Sequence, residues 1–119
     1  MGCELGVVSD VKVNEVAQKV LDAAKKSLGD KLEKVVLFGS YARGDYDEDS
    51  DVNFFILANV PQEEANKWRG EIRKKLPGID LEYDLLISLH VTGTEIFYKF
   101  RDVLPFYSNI AQEGVEIVA

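Results

Sequence analysis

The stretch LFGSYARGDYDEDSDVNFF, residues 37–55, limits the fold more than any other part of the chain. The apolar runs at its two ends, 35–38 and 52–57, read as strands because each is short, apolar and bounded by turn residues. Between them lie two glycines, one arginine and five acids. Gly39, directly after the first strand, lets a ligand approach the backbone, and the Ser40 hydroxyl and nearby N–H groups can cradle a phosphate. Side chains alternate along the second strand, so Asp51 and Asn53 project from one face while Val52 and Phe54 point into the core.

Three uses of this loop compete. Asp45, Asp47, Asp49 and Asp51 alternate as at the start of a calcium-binding EF-hand loop. However, the sixth position is Ser50 in place of glycine and the twelfth is Ile56 in place of glutamate, which removes that reading. A solvated connection whose acids merely keep it wet is the plain alternative. The third use is an oxygen pair beside a phosphate cradle, a metal–nucleotide arrangement in outline. Arg43 can approach a phosphate or pair with Asp45 or Asp47.

The rest of the chain supplies a frame. Val13, Val16, Ala17, Val20, Leu21, Ala24 and Leu28 recur at helical steps, with Ser9 or Asp10 as cap and Gly29 beyond the last turn. Pro61 opens a second helix with Ala65, Trp68, Ile72 and Leu76 on its apolar face. Its bases Lys67, Arg69, Arg73, Lys74 and Lys75 read as the wet face. Residues 81–89 read as a third strand, with Glu82, Asp84, Leu86 and Ser88 on one face. Thr92 or Thr94 could cap a short helix, and a last helical segment runs from Pro105 to Gly114. The order predicts an α+β fold: a small mixed sheet with helices packed on one face, in a single domain over residues 1–119.

Net charge of −7 argues against a polymeric nucleic-acid partner, although a few local cations or a metal still admit a small phosphorylated ligand. The lone Cys3 forms no intrachain disulfide or zinc cluster. The N-terminus has no signal-peptide pattern, Gly6 breaks the lipidation pattern, and no apolar run spans a membrane, so a cytoplasmic protein is expected. His90 and the five tyrosines read as packing residues.

Gly39-Ser40, ten residues, then Asp51-Val52-Asn53 resembles the Gly-Ser, ten-residue spacer, Asp-x-Asp signature of the DNA polymerase β-like nucleotidyltransferases. FGSYARGDYDEDSDVN is similar to the small stand-alone prokaryotic members, the minimal nucleotidyltransferases (MNT). EYDLLISL resembles their third-carboxylate strand and FYSNIAQEGVEI their C-terminal helix and tail, so the likeness covers most of the chain from Val35 onward. The resemblance implies a polymerase β-like palm that transfers a nucleoside monophosphate, AMP from ATP, to an acceptor. It implies Gly39, Ser40 and Arg43 on the nucleotide, and Asp51, Asn53 and Asp84 as catalytic and metal residues around two Mg²⁺ ions, with Glu82 as the rival of Asp84. It also implies a helical HEPN protein as partner, with this chain as the antitoxin of a toxin–antitoxin pair. Self-association is left open.

Asn53 departs from the family's aspartate. An amide oxygen can touch Mg²⁺ but carries no net charge, and losing a full charge beside a divalent ion costs on the order of several kcal/mol even at an effective dielectric near 20. Three explanations stand open: weakened or absent catalysis, an active enzyme that makes do with Asp51, Asp84 and a neighbouring acid, or an aspartate replaced to trap a substrate complex. The rival is a domain that keeps the fold and neutralises a partner by contact alone. An antibiotic-modifying transferase fits less well, because this chain has little length to shape a drug pocket.

Overall fold

The computed structural model describes residues 11–47 and 49–118. Cys3, the N-terminal patterns and the Ser9 or Asp10 cap lie outside the described residues. Helix α1, Val11–Leu28, buries the stripe anticipated for it, with Ala23 added, and carries Lys25 and Lys26 in its last turn where the helix dipole favours cations. A 3₁₀ turn, Gly29–Lys31, leads into β1, Leu32–Phe38. After the short helix α2, Ser40–Arg43, and the acidic loop comes β2, Val52–Ala58. Pro61 caps a 3₁₀ turn that runs into α3, Ala65–Lys74. Helix α4, Ile79–Tyr83, precedes β3, Ile87–Gly93. Helices α5, Thr94–Phe100, and α6, Pro105–Glu113, precede the short strand β4, Val115–Ile117.

The sheet order is β3-β2-β1-β4. β1 runs antiparallel to both β2 and β4, whereas β2 and β3 are parallel, which requires the crossover that α3 and α4 provide. Val35, Leu37, Val52, Phe54, Ile56, Ile87 and Leu89 point from one face into the main core against α1, α3 and α4. The mixed sheet with helices against one face is thus found, with one addition. On part of the opposite face, Phe97 of α5 and Ile110 of α6 form a smaller cluster with Val36, Phe55 and Leu57. The rest of that face is left open for the site.

Two local expectations change. Residues 81–89 are not one strand: Leu81 and Glu82 belong to α4, and Asp84 is its C-cap at φ 54°, in the left-handed region. The turn closes through Leu85 N–H to Asp80 C=O at 3.0 Å, and the Asp80 carboxylate then accepts the Ile87 N–H at 3.0 Å, so the strand begins there. Leu81 is 90% exposed, which no strand buried on one face would allow. Glu82 and Asp84 therefore do not share a strand face with Ser88. Neither Thr92 nor Thr94 caps α5. Gly93 holds the cap position, Thr92 is buried in β3, and the Thr94 hydroxyl donates to Asn59 Oδ1 at 3.4 Å.

Candidate active site

The site is built at the end of β1. Gly39 lies at φ 85°, ψ −157°, a conformation essentially restricted to glycine. A Cβ there would stand 3.2 Å from the Asn53 Nδ2. The backbone conformation requires glycine, and the asparagine, which pairs with Phe38 across the β1–β2 ladder, makes any added Cβ tight as well. The Gly39 C=O accepts from the N–H groups of Ala42 and Arg43 at 3.1 Å, closing α2. Neither the amide nor the hydroxyl of Ser40 is bonded by any described residue. The first amide of a helix has no partner within it, so this one is available to an anion.

Most of the acidic loop has structural work. The Arg43 guanidinium turns to Asp45 at 3.3 Å and Glu113 at 3.8 Å. Asp47 accepts the Asp49 N–H at 2.9 Å and bonds Ser50, holding the turn. Tyr41 stacks on Tyr46 with ring centroids 4.1 Å apart, which pins the loop to the core. Asp51 differs: its carboxylate is half-buried and bonded by no described residue, while its C=O accepts from Asn53 Nδ2 at 3.3 Å. That bond turns the amide nitrogen of Asn53 toward the Gly39 elbow.

On the other side of Asn53 the parallel register places Ser88. Paired residues in adjacent strands share a face, so Phe38, Asn53 and Ser88 form a row across the open face. Ser88 is the residue that sequence reasoning underrated. It shares a face with Asn53 only through the parallel β2–β3 register, which no local pattern encodes. Asp84 lies at the same end of the sheet, beyond Leu86, whose C=O accepts the Val52 N–H at 2.8 Å. It is exposed, and the residues separating it from Ser88 span roughly 10 Å when extended.

Behind this row stands His90, its ring 5.3 Å from Phe38 and 6.2 Å from Phe106. Burial, with a smaller contribution from the Arg69 charge, lowers its pKa below the ordinary 6.5. His90 keeps the packing role expected of it. Two of the α3 bases do more than face water. Arg73 Nη2 reaches Asp80 at 3.1 Å and the Ile87 C=O at 3.0 Å, and with Arg69 it lines a groove of about 500 Å³ running beside Ser88 and His90.

Structure thus brings together the Gly39-Ser40 elbow, Asp51, Asn53 and Ser88, while Arg43 is turned to acids and Asp84 stays at the rim. Among the described residues, no three carboxylate, histidine or cysteine side chains converge as a metal cluster. Asp51 with the Asn53 and Ser88 oxygens fits one hard cation that brings most of its ligands from a triphosphate and water. The donor set does not fit a second, self-standing ion.

Known proteins resemble this chain in sequence. Residues 17–117 match the family described as Nucleotidyltransferase domain. A relative from Methanocaldococcus jannaschii, named a "putative protein adenylyltransferase", is 37% identical over 107 residues, covering 90% of this chain and 100% of the relative. A second of the same name and organism is 32% identical, covering 82% of this chain and 89% of the relative. A solved structure of a "putative nucleotidyltransferase" from Sulfolobus solfataricus aligns with a TM-score of 0.46 and 18% identity, covering 91% of this chain and 87% of that one. With the match spanning nearly the whole chain, the protein belongs to the nucleotidyltransferase domain family and is a nucleotidyltransferase.

Proposed function

We propose that the protein transfers AMP from ATP, with Mg²⁺, to a side-chain hydroxyl of a partner protein. We further propose that the partner is a HEPN-family toxin, which the transfer neutralises. The observation that carries the reading is the Gly39 elbow closed against Asn53, with the Ser40 amide and hydroxyl beside it. The glycine at φ 85° lies against a polar strand residue and is followed directly by Ser40, whose amide and hydroxyl no described residue bonds. The relatives' names supply adenylyl transfer and a protein acceptor; the MNT resemblance supplies the HEPN partner.

The roles follow from chemistry. Gly39 and Ser40 hold the β- and γ-phosphates. Asp51 with the Asn53 and Ser88 oxygens would hold the ion, with Asp84 adding negative charge from the rim. Bound Mg²⁺ offsets the triphosphate charge and the charge building at the α-phosphorus. The acceptor oxygen forms a bond to that phosphorus, the bond to the bridging oxygen breaks, pyrophosphate leaves, and the acceptor proton passes to solvent. The Ser88 hydroxyl donates to a phosphate oxygen. This assignment makes transfer slow but real, because neutral donors at positions 53 and 88 stabilise less charge than carboxylate-bound ions.

Those same neutral positions favour a second reading, neutralisation by contact alone. Incubating the protein and candidate partner with ³²P-labelled ATP and Mg²⁺ separates the two. Label should reach the partner, and Asp51→Asn should reduce it at least a hundredfold while the complex persists. If neither the natural chain nor Asn53→Asp transfers label, the contact reading takes over.

A further inference from the structure

β3 is an edge strand, capped at both ends of its outer side and open in the middle. At one end Ile87 directs its N–H to the Asp80 carboxylate and its C=O to Arg73 Nη2, each at 3.0 Å. At the other end the Gly93 N–H donates to Gln62 Oε1 at 2.8 Å. Backbone groups alternate in direction along a strand. Leu89 and Val91 therefore turn their N–H and C=O outward between the two caps, while Ser88, His90 and Thr92 bond β2. No described residue hydrogen-bonds these outward groups. An open length of edge is a template for another extended chain.

The groove beside this edge has a definite charge. Arg69 is exposed and has no ion-pair partner among the described residues, and Arg73 Nη1 is buried without a hydrogen bond. The His90 Nε2 in the same lining is likewise buried and unbonded, and no carboxylate lines the groove. Arg73 is already paired with Asp80 at 3.1 Å, so Arg69 is the uncompensated cation of the groove, and on a chain of net charge −7 it attracts acids while the remaining surface repels them. It opens toward Ser88, the neighbour of Asn53.

We infer that the acceptor protein docks as an extended acidic segment along the outer edge of β3. Its backbone pairs with Leu89 and Val91, an acidic side chain faces Arg69, and the residue level with Ser88 delivers its hydroxyl to the corner. The segment's role as acceptor rests on the protein-acceptor reading above; its docking does not.

The test reads binding without nucleotide. The probe is an acetylated, amidated heptapeptide of alternating valine and glutamate with a central tyrosine, compared with its lysine-for-glutamate counterpart. The acidic peptide should bind, and at saturation exchange of the Leu89 and Val91 amide hydrogens should slow at least tenfold. Arg69→Glu, a change at an exposed helix position, should weaken acidic-peptide binding at least tenfold and favour the lysine peptide. The inference is overturned if neither peptide binds, if both bind the natural chain equally, if Arg69→Glu changes nothing, or if those two amides stay unprotected. Because no ATP is present, such a failure leaves label transfer to the partner standing, and a failure of label transfer leaves the docking result standing.

Discussion

The two neighbours of Asn53 teach different things. Toward β1, everything the site uses lies within a short stretch of chain: Gly39 is shaped by its own φ and by the asparagine amide, and Ser40 follows it directly. Toward β3, the flanking position is Ser88, reached only through a parallel crossover, and the expected carboxylate Asp84 stands beyond the strand on a helix cap. One side carries the proposed phosphate cradle with its glycine at φ 85°; the other lacks charge where charge would hold a metal. Triphosphate binding and metal loading should therefore respond to mutation separately.

The largest effect should fall on the β1 side. Gly39→Val places a branched side chain at φ 85° with Asn53 Nδ2 3.2 Å from its Cβ. It should weaken ATP binding by calorimetry at least a hundredfold and cost about 1–3 kcal/mol in denaturant unfolding. Gly44 is the control: its φ is also positive, at 88°, but open space surrounds it. Gly44→Ala should cost about 1–2 kcal/mol of stability and leave ATP affinity nearly intact. Equal losses of affinity would erase the distinction between the two sides.

On the β3 side the change should be a gain. Asn53→Asp restores and Ser88→Asp adds a carboxylate in the row, and each should tighten Mg²⁺ dependence of transfer by roughly tenfold, about 1.4 kcal/mol. The two positions are adjacent in register, so the double variant should depart from additivity through repulsion when metal is scarce. A Mg²⁺ titration of label transfer checks both. No gain from Ser88→Asp would mean that the third strand does not limit the site.

What could be read from the residues follows the same division. The α1 stripe, the two strands around the loop and the glycine elbow were legible because helical period, strand alternation and turn chemistry are local rules. The limits of the third strand were not. Leu81, Tyr83, Leu85 and Ile87 alternate well enough to suggest a strand, yet its start is fixed by the Asp80 carboxylate on the Ile87 N–H and by the β2 register. Arg73 was misjudged for the same reason: its bonds to Asp80 and to the Ile87 C=O connect elements that only the tertiary fold makes neighbours.

Asp84 offers a smaller, sharper test. As a rim carboxylate adding charge without direct contact, it should lose only about threefold in transfer on conversion to Asn, far less than Asp51→Asn. A hundredfold loss in steady-state transfer would instead make it a direct ligand and confine the charge deficit, now at Asn53 and Ser88, to Asn53 alone.

The smallest effect concerns His90, which packs behind the row between the rings of Phe38 and Phe106 with Arg69 of α3 as its charged neighbour. Its pKa in the fold is below the ordinary 6.5, chiefly because burial disfavours the imidazolium. Above that value both folded and unfolded chains hold a neutral ring and His90 contributes no pH dependence. As pH falls below 6.5 the unfolded chain takes up the proton first, so stability drops until the folded ring titrates as well. The measurement is a difference, which isolates the His90 contribution: urea unfolding of the natural chain minus His90→Gln, from pH 7.5 to 5. The natural chain should lose more stability across the lower part of that range. Arg69→Gln should raise the His90 pKa read from its ring-proton NMR shifts and narrow the gap, since it removes the repelling charge and leaves the burial. A difference that is flat or reversed would mean that the imidazole is open to solvent, and the groove beside Ser88 would then extend to the aromatic rings.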